Sequence, residues 1–308
     1  MGTAHPFRFA LMADEVTSRT ALLETAREAE ASGFSALLMR DHFTGPPYGS
    51  QFGPVAALAT VAAATRDLRI GTLVACNDYR HPVLLAQEAA TLDVLSEGRF
   101  ELGLGAGFNA EEYAAAGLPF DPPGVRVGRL EEAVRIIKGL FAGEPYALDG
   151  RHYTIGGLSG FPVPARRPPI QVAGAGPRLL GIAAREADIA GLLGDDDPAG
   201  RAPGAIAAKT ARILAAAPDP DALEISMFMT LAVTRDRDAA AERVAAANGW
   251  TGVGPAEVRA MPASFIGEVA ELEELLHERR AAYGVTYYVV PRRDLAAAAP
   301  LVARMTGA

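Results

Sequence analysis

The sequence predicts an α/β protein folded as a (β/α)8 TIM barrel, and three observations carry that prediction. Short apolar runs rich in Val, Ile, Leu and Phe alternate with alanine-rich amphipathic segments. Several of those segments open with proline, which suits a first helical turn because its missing N–H would have no helical partner there. The 308 residues, half of them hydrophobic, can supply eight such units around one core, so residues 1–308 read as a single barrel domain. A doubly wound open sheet is the other arrangement of the same alternation.

Strands are expected at Phe7 to Ala13, Ser35 to Asp41, Leu68 to Ala75, Phe100 to Gly105, Pro169 to Ala173, Asp188 to Leu193, Ile225 to Thr234 and Val285 to Pro291. Between them, helices are expected at Thr20 to Ser32, Pro54 to Thr65, Pro82 to Leu95 and Gly128 to Phe141. Residues 143–167 break the rhythm between strands four and five. Glu144 to Ile155 reads as a hairpin around Asp149-Gly150, followed by a link rich in Pro and Arg, so this interval is an insertion. Asn248 to Ser264, after strand seven, reads as an irregular patch able to cover a site.

Composition excludes some functions. A net charge of -8 opposes binding to nucleic acid, where affinity comes from Lys and Arg displacing counterions. With Cys76 alone there is no disulfide framework, and the cytoplasm is the expected location. No leader-like start and no membrane-length apolar run is read in the chain. No metal site is expected: Asp195-Asp196-Asp197 has the character of a solvated turn, and no two histidines stand at helical ligand spacing.

In a barrel of this kind, chemistry belongs at the C-terminal ends of the strands. Strand two ends in Asp41-His42-Phe43, strand three in Cys76-Asn77-Asp78, strand four in Gly103 to Asn109, and strand five in Gly174-Ala175-Gly176-Pro177-Arg178. His42 is the candidate general acid or base, or a hydrogen-bond partner of a cofactor ring, with a structural loop histidine as the alternative. His81, just before Pro82, is expected to cap a helix.

Gly103-Leu104-Gly105-Ala106-Gly107-Phe108 looks like a dinucleotide loop but lacks the third glycine, leaving only Gly-x-Gly-x-x-Ala from Gly105. Its glycines either let neighbouring strands pack closely or leave bare backbone for a flat ligand, and the second reading is preferred. The run from Gly174 to Arg178 is the better phosphate site, because a helix starting at Pro177 would offer free N–H groups beside a guanidinium. A plain strand-to-helix turn is the alternative.

These motifs resemble the luciferase-like monooxygenase superfamily, and within it the branch of oxidoreductases dependent on coenzyme F420, a deazaflavin. The resemblance is carried by Asp41-His42-Phe43, Arg69 to Val74, Arg80-His81-Pro82, Thr91 to Phe108, and Gly174 to Arg178 with Ala187-Asp188. It implies a barrel, often a homodimer, holding F420, or alternatively FMN, at its C-terminal mouth. It also implies a non-prolyl cis peptide at Leu73-Val74 behind the ring, and Asp41, His42 and Gly107 around it. The phosphate would be held by Gly174, Ala175, Gly176, Pro177 and Arg178.

Asn77 and Phe108 would face a small-molecule substrate. The activity implied is hydride transfer to an activated C=C or C=N bond. An FMN-dependent monooxygenase served by a reductase, or a barrel that binds flavin without turnover, are the alternatives. The chain departs from the branch's sugar-phosphate dehydrogenases in two places: Phe108 stands where they have a glutamate acid, and the acidic triplet Asp195 to Asp197 stands where they have a lysine.

Overall fold

The computed structural model describes residues 5–45, 49–193 and 197–308. Its strands are β1 (Arg8–Met12), β2 (Ala36–Met39), β3 (Arg69–Thr72), β4 (Ala75–Cys76), β5 (Phe100–Gly105), β6 (Pro145–Asp149), β7 (Thr154–Ser159), β8 (Ile170–Gly174), β9 (Ile189–Leu192), β10 (Glu224–Phe228), β11 (Thr230–Val233), β12 (Ser264–Gly267) and β13 (Val285–Pro291). The helices are α1 (Arg19–Ala31), α2 (Pro54–Ala62), α3 (Pro82–Leu95), α4 (Ala110–Ala115), α5 (Pro123–Phe141), α6 (Pro177–Glu186), α7 (Pro198–Arg201), α8 (Pro203–Ala216), α9 (Arg237–Ala247), α10 (Pro255–Ala260), α11 (Val269–Tyr283) and α12 (Leu295–Met305).

The order β3-β2-β1-β13-β10-β9-β8-β5 is parallel throughout, and β3 pairs back to β5, so the sheet closes into the eight-staved (β/α)8 barrel, with β4 continuing the stave of β3. Alternation along each strand divides two cores. Phe9, Leu11, Leu37, Met39, Tyr288 and Val290 pack outward among helix residues such as Leu22, Leu58 and Leu301. Their neighbours Ala10, Met12, Ala36, Leu38, Tyr287 and Val289 fill the barrel interior. Truncating a buried leucine in either cluster to alanine is worth roughly 2 to 5 kcal/mol.

Charge closes the N-terminal end of the barrel. Arg8 on β1 reaches Glu101 on β5 at 2.8 Å and Glu224 on β10 at 2.5 Å, while Arg69 on β3 holds Glu101 at 2.5 Å and Tyr287 on β13 donates to it at 3.1 Å. Burial would raise the Glu101 carboxyl, but Arg8 and Arg69 outweigh it and hold it below the ordinary carboxylate range.

The eight expected strands are present, with two corrections. The third stave is broken: Ile70 pairs with Phe100 but Ala75 with Leu104, so it carries one residue more than β5 across that span, a bulge at the cis peptide Leu73-Val74. The expected strand Ile225 to Thr234 is two strands. After Met229 donates to Val289, the chain leaves the barrel and β11 pairs in parallel with β12.

The patch at Asn248 to Ser264 is more regular than its glycines and prolines suggest. It contains α10, whose Val258 joins Ala240, Ala241 and Ala245 of α9 and Ile266 of β12 in a small separate core. The guanidinium of Arg279, on α11, bonds Ala260 O at 3.2 Å and ties this layer to the helix ring.

The helix expected from Gly128 starts earlier, at Pro123, whose fixed φ and missing N–H suit the first helical position. The insertion is the hairpin expected, β6 with antiparallel β7. Both oxygens of Glu132 on α5 hold its turn by accepting from the N–H groups of Arg151, His152 and Tyr153 at 2.9 to 3.0 Å.

Candidate active site

The interior column of the barrel ends, at the C-terminal mouth, in Leu73, Val74, Leu193 and Phe228. These side chains stand at the ends of three staves and form an apolar floor. Loops after β2, β4, β5 and β8 surround it, as strand direction requires.

Asp41 is buried, at 3% exposure, and braces two of those loops. Its carboxylate accepts from the Cys76 backbone at 3.1 Å and takes both ends of the Arg80 guanidinium at 2.5 and 3.2 Å. Arg80 also reaches Glu88 on α3 at 3.2 Å. His81 accepts from Val83 N at 3.3 Å and caps α3, as expected of it.

His42 stands on a buried carboxylate that the sequence did not single out. Its Nδ1 lies 2.8 Å from Glu112 Oε2, and the Tyr79 hydroxyl donates to the same oxygen at 2.8 Å. The other oxygen, Oε1, accepts from Phe43 N, from Thr44 N at 3.1 Å and from Thr44 Oγ1 at 3.4 Å. Burial raises the Glu112 carboxyl, yet the donors His42, Tyr79, Thr44 and Phe43 together hold it below the ordinary range. Tyr79 is pushed well up, by burial first and then by its bond to Glu112, so it acts as a neutral donor.

Glu112 belongs to the short helix α4, whose start is set by Asn109: the Asn109 side chain accepts from Glu112 N at 3.3 Å. The spacing Asn-x-x-Glu is a helix-start signature. It signals the helix, and nothing local in it signals that the Glu side chain reaches back to residues 42–44.

Aromatic rings wall the mouth. Phe43 stacks on Tyr79 with centroids 4.4 Å apart, and Phe108 meets the His42 ring edge-on at 5.9 Å. Phe43 and Phe108 are 58% and 62% exposed, a degree that large apolar rings reach at few other positions here.

The glycines of β5 serve the protein itself. A Cβ on Gly103 would run into the Thr72 carbonyl, and one on Gly105 into the Val74 side chain, so these two make room for the bulged stave. That is the close-packing reading, and it replaces the preferred one at both positions. Gly107 has a positive φ of 75°, and a Cβ there would meet the hydroxyl of Tyr113 and the thiol of Cys76. Arg126 holds this turn by bonding the carbonyls of Gly107 and Ala106.

Asn77 is 1% exposed; its Nδ2 reaches Tyr153 OH at 3.4 Å, while its Oδ1 has no hydrogen-bond partner among the described residues. On the far side, β8 runs through Gly174 and Ala175 to Gly176, the N-cap of α6, with Pro177 at its first position. A Cβ on Gly174 would meet Leu179, whereas one on Gly176 would meet nothing within 4 Å among the described residues. Arg178 lines a cleft of about 420 Å³ with Arg135, Arg151, His152, Glu131 and Glu132; its guanidinium donates to Gly124 O at 2.8 Å and lies 3.7 Å from Glu131. Asp197 caps α7 through Ala199 N at 2.9 Å; Asp195 and Asp196 lie outside the described residues.

Residues 1–298 match the sequence model of the luciferase-like monooxygenases. The chain belongs to that family. Among curated proteins it is similar to an F420-dependent hydroxymycolic acid dehydrogenase of Mycobacterium tuberculosis, with 36% identity over 172 residues, 54% of this chain and 47% of that protein. It is also similar to an F420-dependent glucose-6-phosphate dehydrogenase of Beutenbergia cavernae, with 34% identity over 163 residues, 52% of this chain and 48% of that protein. The matched part thus spans about half the length of these relatives. An F420-dependent secondary alcohol dehydrogenase, solved with an F420-acetone adduct, shares the fold at a TM-score of 0.80, 20% identity and 98% coverage of both chains.

Proposed function

We propose that this luciferase-like barrel is an F420-dependent oxidoreductase that transfers hydride between the deazaflavin and a neutral or weakly polar small molecule, the reducible group being an activated C=C or C=N bond. The observation that carries it is the barrel mouth, where an apolar floor of Leu73, Val74, Leu193 and Phe228 lies within a ring of loops that holds His42 on Glu112. The F420-dependent enzymes among the relatives support the choice of cofactor.

The residues present fit such a group. A flat ring matches the apolar floor. The partnerless Oδ1 of Asn77 is a buried acceptor of the kind a ring N–H would satisfy, and leaving it unpaired is costly. The open space at Gly176, before the first turn of α6 and next to Arg178, is where a phosphate would meet free N–H groups. Asp41 contributes by bracing the loops through Arg80, and Gly107 by turning the chain at the rim.

When bound, the deazaflavin supplies a two-electron hydride carrier that scarcely reacts with oxygen. The chain's part is to hold ring and substrate together, to exclude water with Phe43 and Phe108, and to move the accompanying proton through His42. Phe108 gives the substrate an apolar wall, which favours neutral molecules over sugar phosphates. The same reading takes the protein to be one barrel domain in a cytoplasmic homodimer.

The test is an assay of reduced F420 against a panel of cyclic enones and imines. Substrate-dependent oxidation is expected, and His42→Ala should lose about a hundredfold or more of turnover while cofactor affinity changes less than threefold. Equal loss of both would make His42 a binding residue only, and no oxidation by any member would remove the proposed substrate class.

A further inference from the structure

We propose that Glu112 is a positioning residue that sets which nitrogen of His42 carries its proton and where the ring points, so that His42 can deliver a proton at the barrel mouth. The proposal rests on the reading above that His42 works beside the ring. It adds a second residue, from the helix that follows β5, to that site.

Glu112 is not placed like an ordinary helix-start glutamate. Its side chain is fully buried, and its two carboxylate oxygens divide their work. Oε1 gathers the backbone of Phe43 and Thr44, which fixes the loop that carries His42. Oε2 takes His42 Nδ1 and the Tyr79 hydroxyl, each at 2.8 Å. A carboxylate held below its ordinary range has no proton to give, so the hydrogen on this contact belongs to His42 Nδ1. In the neutral ring the lone pair then sits on Nε2; in the charged ring both nitrogens carry hydrogen, and Nε2 is the one not bonded to Glu112.

Among the described residues, the charged and titratable groups around His42 and Glu112 include Tyr79 from the turn after β4, Cys76 beside it, and Asp41 with Arg80 and Glu88 behind that turn. Tyr79 is held neutral and Asp41 is paired with Arg80, which it shares with Glu88, so among the described residues Glu112 is the carboxylate that bonds the ring. A preorganised carboxylate of this kind holds the tautomer and stabilises the imidazolium as it forms.

The proton step balances simply. Reduction of an activated C=C adds hydride to one carbon, with its two electrons, from the reduced deazaflavin of the proposed function. The other carbon takes a proton from Nε2 of the His42 imidazolium. His42 is left neutral, with its hydrogen still on Nδ1 against Glu112, and recovers a proton from water.

The experiment uses the full chain without cofactor. Ring nitrogen shifts of His42, from ¹⁵N-histidine NMR at pH 8 and assigned by loss of signal in His42→Ala, report the tautomer. The wild type should show Nδ1–H, Glu112→Gln should keep it because an amide oxygen still accepts, and Glu112→Leu should shift the ring towards Nε2–H. Thr44→Val, which removes the 3.4 Å hydroxyl contact to Glu112 Oε1 and leaves the Oε2 bond to His42 in place, should leave the tautomer unchanged. With cofactor and substrate, Glu112→Gln should lower kcat by about tenfold to a hundredfold with KM changed less than threefold.

Nδ1–H retained in Glu112→Leu would overturn the proposal, as would an Nε2–H ring in the wild type. A Glu112→Leu chain that fails to fold leaves the wild-type tautomer and the kcat of Glu112→Gln to decide. Because the NMR arm needs no cofactor, failure of F420 to bind would sink the functional reading and leave the tautomer result standing.

Discussion

Gly176 offers a way to separate binding from folding at the mouth. Its φ is -73° and a Cβ there would meet nothing within 4 Å among the described residues, so Gly176→Val should change stability by less than about 0.5 kcal/mol. It should nonetheless weaken cofactor binding at least tenfold, because the added methyls fill the space a phosphate would use. Thermal melts with a fluorescence titration check both halves; unchanged affinity would move the phosphate elsewhere. Cys76 gives a second test at this scale. Burial pushes its thiol up to about 11, so the native protein should react with iodoacetamide at pH 7.5 at least tenfold more slowly than the unfolded chain.

At the scale of elements, the bulge at Leu73-Val74 dictates the residues across from it. Gly103→Ala would drive a Cβ into the Thr72 carbonyl, which is backbone and not a flexible side-chain end. It should cost about 1 to 3 kcal/mol, read as a lower denaturation midpoint with little change in slope. Such pairings mark the limit of what the sequence shows. Strands such as β1 and β13 are legible because each apolar run is local and short, and His81 is legible as a cap because Pro82 follows it. The glycines of β5 read as a ligand surface because their partner, the third stave, is remote in sequence. The exit of β11 was hidden for the same reason: its continuous apolar run differs from a barrel strand only in what it pairs with. At the site, His42, Phe108 and the turn at Gly176 stood out at strand ends, whereas Glu112 reaches His42 across 70 residues and carries no local mark of doing so.

Over the whole molecule, the two ends of the barrel divide stability from chemistry. At the N-terminal end, the Arg8, Arg69, Glu101 and Glu224 network ties β1, β3, β5 and β10 together. Glu101 has a folded pKa below its ordinary value of 4.5, so its contribution is fully present above that value and is lost as pH falls through the folded one. Acid should therefore destabilise the protein progressively below about pH 4.5. Glu101→Gln, which leaves two guanidiniums short of a partner, should cost about 3 to 5 kcal/mol at pH 7 and flatten that acid dependence. Urea melts at pH 7 and pH 4 measure both, and an equal cost at the two pH values would contradict the account.

At the C-terminal end, the central claim is that the mouth holds a deazaflavin and passes hydride from it. The most direct measurement titrates the purified full chain with F420 and with FMN by fluorescence, then follows reoxidation of the reduced bound cofactor with and without oxygen. The account predicts saturable binding of F420, tighter than FMN by at least tenfold, and a reduced form that persists in air until an oxidised substrate is added. Binding of FMN alone, with rapid reoxidation by oxygen, would contradict it.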